Sequence, residues 1–97
     1  MPDYVLTRAA DEDLTEIYRY TLKEFGESQA ETYFDSLEEC LNHLAENPEL
    51  GLDVSSVRDG YRRFVHKQHM IFYKPTDSGI LVVRILGPGM LLERHLP

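Results

Sequence analysis

A chain of 97 residues with 42% hydrophobic and 28% charged side chains has the composition of an ordinary folded domain, and its formal net charge of -7 matters less than how that charge is distributed. No apolar run reaches the roughly 18 residues of a membrane span, and MPDYVLTR lacks the basic and apolar regions of a signal peptide. A single domain over residues 1–97, cytoplasmic and without membrane association, is therefore expected, and the lone Cys40 excludes both an intramolecular disulfide and a cysteine-based metal site.

Tyr4 to Thr7 is short, β-branched and aromatic, and reads as a strand. Leu14, Ile17, Tyr18, Thr21 and Phe25 then recur at helical spacing, with Asp11, Glu12 and Asp13 in the expected first turn, where the helix dipole favours carboxylates. Gly26 ends that helix. Ser28 and Glu31 stand at capping-box spacing for a second helix, along which Ala30, Tyr33, Phe34, Leu37, Leu41, Leu44 and Ala45 trace one stripe. The short link makes the two helices an antiparallel hairpin. Asn47-Pro48 ends the second helix, because the residue before proline is pushed out of helical geometry.

Glu49 to Gly60 reads as a turn-rich loop. Strands follow at Tyr61–Val65, Met70–Lys74 and Ile80–Leu86, joined by His66–His69 and Pro75–Gly79, which makes an antiparallel meander. ILVVRIL is apolar except at Arg84, so this strand is expected to be interior. Its arginine either snorkels at the strand end or serves a functional concavity. The fold class is α+β with the order β-α-α-β-β-β, a helical hairpin packed on an antiparallel sheet. Leu14, Ile17, Tyr33, Phe34, Leu37, Leu41, Phe72 and Val82 are the expected core.

Charge is divided along the chain. Up to Leu50 there are thirteen acidic and three basic side chains; from Gly51 onward there are four and seven. The basic half carries the candidate binding residues Arg62, Arg63, Lys67 and Arg84. His43, His66, His69 and His95 lack metal-ligand spacing, and His66 and His69 read as solvated. The segment Gly87 to Gly89 lacks the lysine and helix of a phosphate-binding loop. Paired carboxylates such as Asp11 with Asp13 read as exposed helix surface. No catalytic constellation, cofactor or metal is indicated. A metal-free ribonuclease needs a base, cations and an acid converging on one spot. Arg62, Arg63, Lys67, Arg84 and His95 form a sparse set for that purpose.

The run from Ile17 to Gly51, with GESQA and LAENPELG, followed by RDGYRRF, HMIFYK, VVRIL and RHL, resembles the ParE branch of the RelE/ParE toxin superfamily in order and spacing over nearly the whole chain. The resemblance implies a helical hairpin on a curved sheet, with Tyr4–Thr7 beside the last strand. It implies a toxin of a type II toxin-antitoxin system that acts by binding and not as an enzyme, with DNA gyrase as target. It also implies a ParD-like antitoxin that silences the toxin, wraps it with an acidic segment and carries the complex to operator DNA. After RIL the tail reads GPGMLLERHL, where many relatives continue with a histidine and a basic residue. Met90, Leu91, Leu92, Arg94 and His95 join the candidates for antitoxin or target contact. Two alternatives stay open: a ribosome-dependent messenger-RNA endoribonuclease, and a non-toxic co-repressor that only completes the antitoxin.

Overall fold

The computed structural model describes residues 2–87; Met90, Leu91, Leu92, Arg94 and His95 lie outside the described residues. The chain runs β1 (Asp3–Leu6), α1 (Arg8–Phe25), α2 (Glu27–Glu46), a 3-10 turn (Pro48–Leu50), β2 (Leu52–Asp53), β3 (Arg62–His66), β4 (His69–Thr76) and β5 (Gly79–Leu86). The five strands form one sheet in the order β1-β5-β4-β3-β2.

Thr7 separates β1 from α1. Its hydroxyl accepts from the Ala10 amide at 3.1 Å, as an N-cap does, and donates to the Val83 carbonyl of β5 at 2.8 Å. The helix therefore starts at Arg8, earlier than the periodicity implied. Of the three expected first-turn carboxylates only Asp11 lies in the first turn. Asp13, one turn further on, points inward. The second helix also starts earlier than its capping box would place it. Gly26, at φ 91°, ends α1 and serves as the N-cap of α2 without any side-chain capping bond, which leaves Ser28 inside the helix.

The expected antiparallel meander is present as β3, β4 and β5, and two features of the sheet go beyond it. β1 pairs with β5 in parallel, from Asp3 opposite Gly79 to Leu6 opposite Val82, so the sheet is mixed. A parallel neighbour needs a long crossover, and the helical hairpin and the meander together supply it. The placement of β1 beside the last strand is as the resemblance implied. The second feature is β2, a two-residue edge strand within the segment read as loop, which pairs with Arg62 and Arg63 of β3. Gly79 makes the parallel start possible: at φ 145° its Cα lies against the main chain of Asp3, where a Cβ would collide.

The principal core lies between the helical hairpin and the sheet. Leu14, Leu37, Leu41 and Leu44 pack on Ile71, Tyr73, Ile80, Val82 and Ile85. On the other face Phe72, Val83 and Leu86 are covered by Val54 and Tyr61 from the loop and β3 side. β4 and β5 are thus buried on both faces, which accounts for the unbroken apolar run of β5. Of the expected core, Ile17, Tyr33 and Phe34 are half-buried at its margin. Phe25, expected on the buried stripe, is 64% exposed.

Tyr73 fastens the end of α2 to the sheet. Its ring is fully buried, and its hydroxyl accepts from the Gly51 amide at 2.8 Å and donates to the Pro48 carbonyl at 2.6 Å. A Cβ at residue 51 would collide with that ring, which explains the glycine in LAENPELG. Tyr73→Phe removes both bonds while retaining the ring, and the expected loss of about 2 kcal/mol is measured by urea unfolding.

Candidate functional site

β5 carries an irregularity where the site begins. Phe72 of β4 lies opposite Arg84 and Tyr73 lies opposite Val82, so Val83 is the extra residue of a β-bulge. A bulge turns the neighbouring side chain out of the regular pleat. Arg84 reaches α1, where its Nε and Nη2 donate to the two carboxylate oxygens of Asp13 at 2.7 and 2.8 Å. The same carboxylate accepts from the Ile85 amide at 2.9 Å. Asp13 therefore does on this edge of β5 what β1 does earlier: it satisfies the backbone. The two side chains are only 13% and 17% exposed, and the hydrogen bonds that Arg84 donates to Asp13 raise the Arg84 pKa despite partial desolvation. The sequence reading of Asp13 as exposed surface is corrected by this pairing.

A groove of about 660 Å³ opens beside the pair. α1 lines it with Ile17, Tyr20, Thr21 and Phe25, α2 with Gln29 and Tyr33, and the β3–β4 turn with Lys67, Gln68 and His69; Ile85 and Gly87 close the end. Tyr20 and Phe25 are 63% and 64% exposed, so the groove presents aromatic surface to solvent. The hairpin wall is attached to α2 by His69 Nδ1, 2.5 Å from the Tyr33 hydroxyl, and by His66 Nε2, 3.2 Å from Ser36 Oγ. Both histidines, read as solvated in the sequence, are half-buried. Burial pushes the Tyr33 hydroxyl above its ordinary pKa, so the phenol stays protonated.

The four basic candidates are placed differently. Arg62 donates to the Gly51 carbonyl at 2.6 Å and the Glu49 carbonyl at 3.4 Å, which clamps the turn after α2. Arg63 lies opposite Phe72 and Leu52, half-buried in β3. Lys67 sits at the hairpin tip with its Nζ 5.6 Å from the Tyr33 ring centroid, and it alone of the four lines the groove. Arg84 is engaged by Asp13. The described members of the set weighed for a ribonuclease, Arg62, Arg63, Lys67 and Arg84, are thus used differently, and two of the arginines hold the fold together. Among the described residues no group of three His, Cys, Asp or Glu side chains is arranged to hold a metal ion, and no helix is long and apolar enough to cross a membrane.

Sequence reasoning missed the groove itself. Tyr20 is a conspicuous aromatic off the buried stripe of α1, and this was the one available signal. The Tyr33–His69 pair joins residues 36 positions apart and leaves no local pattern.

Comparison with known proteins agrees with this architecture. Residues 4–91 match the family described as ParE toxin of type II toxin-antitoxin system, parDE. Toxin ParE1 of Mycobacterium tuberculosis is 36% identical over 94 residues, covering 96% of each chain. Toxin ParE1 of Caulobacter vibrioides is 32% identical over 99% of each chain, and Toxin ParE of Escherichia coli is 34% identical over 99% of this chain and 94% of its own. A solved structure described as a chromosomal ParDE TA system from P. aeruginosa superposes with a TM-score of 0.75 at 21% identity, over 90% of this chain and 96% of that one, which establishes the shared fold.

The Asp13–Arg84 pair lends itself to a stability test. Asp13→Ala strands a largely buried guanidinium and an amide, and a loss of about 3 kcal/mol is expected. Asp13→Ala combined with Arg84→Met should recover part of it, as read by chemical denaturation of the unsubstituted chain, the two single variants and the double variant in a double-mutant cycle.

Proposed function

Because the chain belongs to the ParE toxin family of type II toxin-antitoxin systems, we propose that it acts by binding in the cytoplasm, with a ParD-type antitoxin as the protein that silences it and DNA gyrase as its target. The observation that carries the binding half is the aromatic groove. At its β5 border the Ile85 amide already donates to the Asp13 carboxylate, so an added strand finds no free donor there. An occupant must satisfy its own backbone, which makes it an amphipathic helix laid between α1 and the hairpin tip. Tyr20, Phe25 and Ile17 receive its apolar stripe, and Lys67 meets a carboxylate of the acidic segment.

The arrangement of the cations supports binding over catalysis. A ribonuclease must aim positive charge at a developing phosphorane, and it must do so with groups free to touch substrate. Arg62 and Arg84 are committed to internal acceptors instead. Arg63 and Lys67 remain as contacts for the antitoxin or the target. Met90, Leu91, Leu92, Arg94 and His95, in the tail that departs from the pattern of many relatives, are further candidates for antitoxin or target contact. The ParD-type partner carries the complex to operator DNA.

Tight induction of the chain alone in bacterial cells, with pulse-labelling of DNA and protein synthesis, is expected to stop DNA synthesis first; protein synthesis failing first assigns the chain to ribosome-dependent RNA cleavage, and no change in either assigns it to a co-repressor role. Purified protein should then inhibit gyrase supercoiling. The groove is checked by calorimetry: Tyr20→Ala with Phe25→Ala should weaken antitoxin binding by about 100-fold with little change in melting temperature, since both rings are exposed. Removing Leu91 to Pro97 should reduce gyrase inhibition more than antitoxin affinity, and equal losses would count against target contact by the tail.

A further inference from the structure

The wall of the groove formed by the β3–β4 turn is held by an arrangement of titratable groups around one ring. The His69 and His66 rings lie with centroids 5.5 and 5.8 Å from that of Tyr33, and the Lys67 ammonium lies 5.6 Å from the same centroid. His66 and His69 are direct cross-strand partners around the Lys67-Gln68 turn. Lys67 holds the turn at φ 55°, a left-handed conformation that a side-chain-bearing residue adopts only under constraint. Ser36 Oγ donates to the Tyr33 carbonyl at 2.8 Å, so the bond between Ser36 and His66 is donated by the histidine Nε2–H.

We propose that Tyr33 and His69 are positioning residues for the docking groove, and that they and His66 form a latch that releases the hairpin tip when the imidazoles take up protons. The inference rests on the groove being the antitoxin site. With both imidazoles neutral, Tyr33 donates to His69 Nδ1 and Lys67 is the one cation at the ring. Protonation of His69 turns its Nδ1 into a donor, so the bond to Tyr33 must reverse and the phenol proton loses its acceptor; with His66 also protonated, three cations crowd the hairpin tip. Two of those cations are directly opposite each other on adjacent strands, where like charges repel.

The surrounding groups do not offset this. From α1, Asp13 and Glu16 face the groove, but Asp13 is bound by Arg84 and Glu16 by Arg19 at 2.9 Å. From α2, Glu39, Glu46, Cys40 and His43 share a shallow recess with His66; both glutamates are exposed and act through solvent. From the hairpin itself, Lys67 adds repulsion. Burial first, and then Lys67, lower the His66 pKa from its ordinary 6.5; burial first, and then His66, lower that of His69. A depressed folded-state value means that the latch contributes fully above pH 6.5 and is lost as pH falls below that through the lower folded-state values.

The test is amide hydrogen exchange on the full chain at about pH 7.5 and about pH 5.5, corrected for intrinsic rates, alone and with the purified ParD-type antitoxin, beside calorimetric affinities at both pH values. Protection at residues 67–69 is expected to fall about tenfold more than at Ile71 and Val82, and antitoxin affinity to fall about tenfold. In His69→Gln, whose amide accepts the Tyr33 hydroxyl but does not titrate, the ratio of the two affinities should shrink below about threefold. Tyr33→Phe should lose hairpin protection at both pH values. Unchanged hairpin protection in acid, or a full affinity ratio retained by His69→Gln, overturns the latch; if the antitoxin then still protects the groove amides of α1, the groove reading stands alone. Should the hairpin open in acid while the antitoxin leaves the α1 amides unprotected, the groove reading fails and the positioning role falls with it.

Discussion

The carboxylate of Asp13 holds together parts of the molecule that no strand pairing joins. It closes the edge of β5 past the end of β1, fixes the first turns of α1 against the sheet, and neutralises an arginine aimed by a bulge. Without an acceptor at that point the Ile85 amide would be a half-buried donor lacking a partner, a defect that folded proteins avoid. Together with Thr7, which joins the start of α1 to the Val83 carbonyl, it ties the first half of α1 to β5, and Ile17, Tyr20 and Phe25 further along the helix line one side of the groove.

The acid-rich and base-rich halves of the chain meet at this pair, but they do not form opposed charged faces. The basic half is consumed piecemeal: Arg62 on loop carbonyls, Arg84 on Asp13, Lys67 and Lys74 each over a tyrosine ring. Of these only Arg84 is neutralised, by Asp13; the others keep their charge but are held in place by carbonyls or a ring. The groove accordingly offers shape and apolar area, with Lys67 as a charge at its margin.

Much of the fold was legible because periodicity reports burial directly. Leu14, Leu37, Leu41, Phe72 and Val82 are buried as their spacing implied, and both helices and the three meander strands lie close to where the pattern placed them. What failed was information that resides in pairs distant along the chain. Ser28 and Glu31 have the spacing of a capping box, yet Gly26 starts α2 before Ser28, because one glycine can end one helix and begin the next. Asp13 looked like helix surface until its partner at position 84 was known. His66 and His69 looked solvated for the same reason, since Tyr33 and Ser36 come from another element. The family resemblance supplied the position of β1 and the class of function, neither of which periodicity contains. It did not supply the groove geometry, which depends on side chains from α1, α2, the hairpin and β5.

The parallel pairing of β1 with β5 has a consequence for the order of folding. The helical hairpin and the meander are made of contacts between chain neighbours and can form separately, whereas the bond from Thr7 to Val83 spans 76 positions. Bringing such distant ends together carries a length-dependent entropy cost of about 4 kcal/mol, offset only when the intervening elements are already compact. In the native sheet β1 covers the outer edge of β5 from Gly79 to Val82, so the most apolar strand of the protein offers no unpaired ladder there to an extended chain nearby. The first strand thus serves as a cover for the last, and a chain that lacked it would present that edge to solvent.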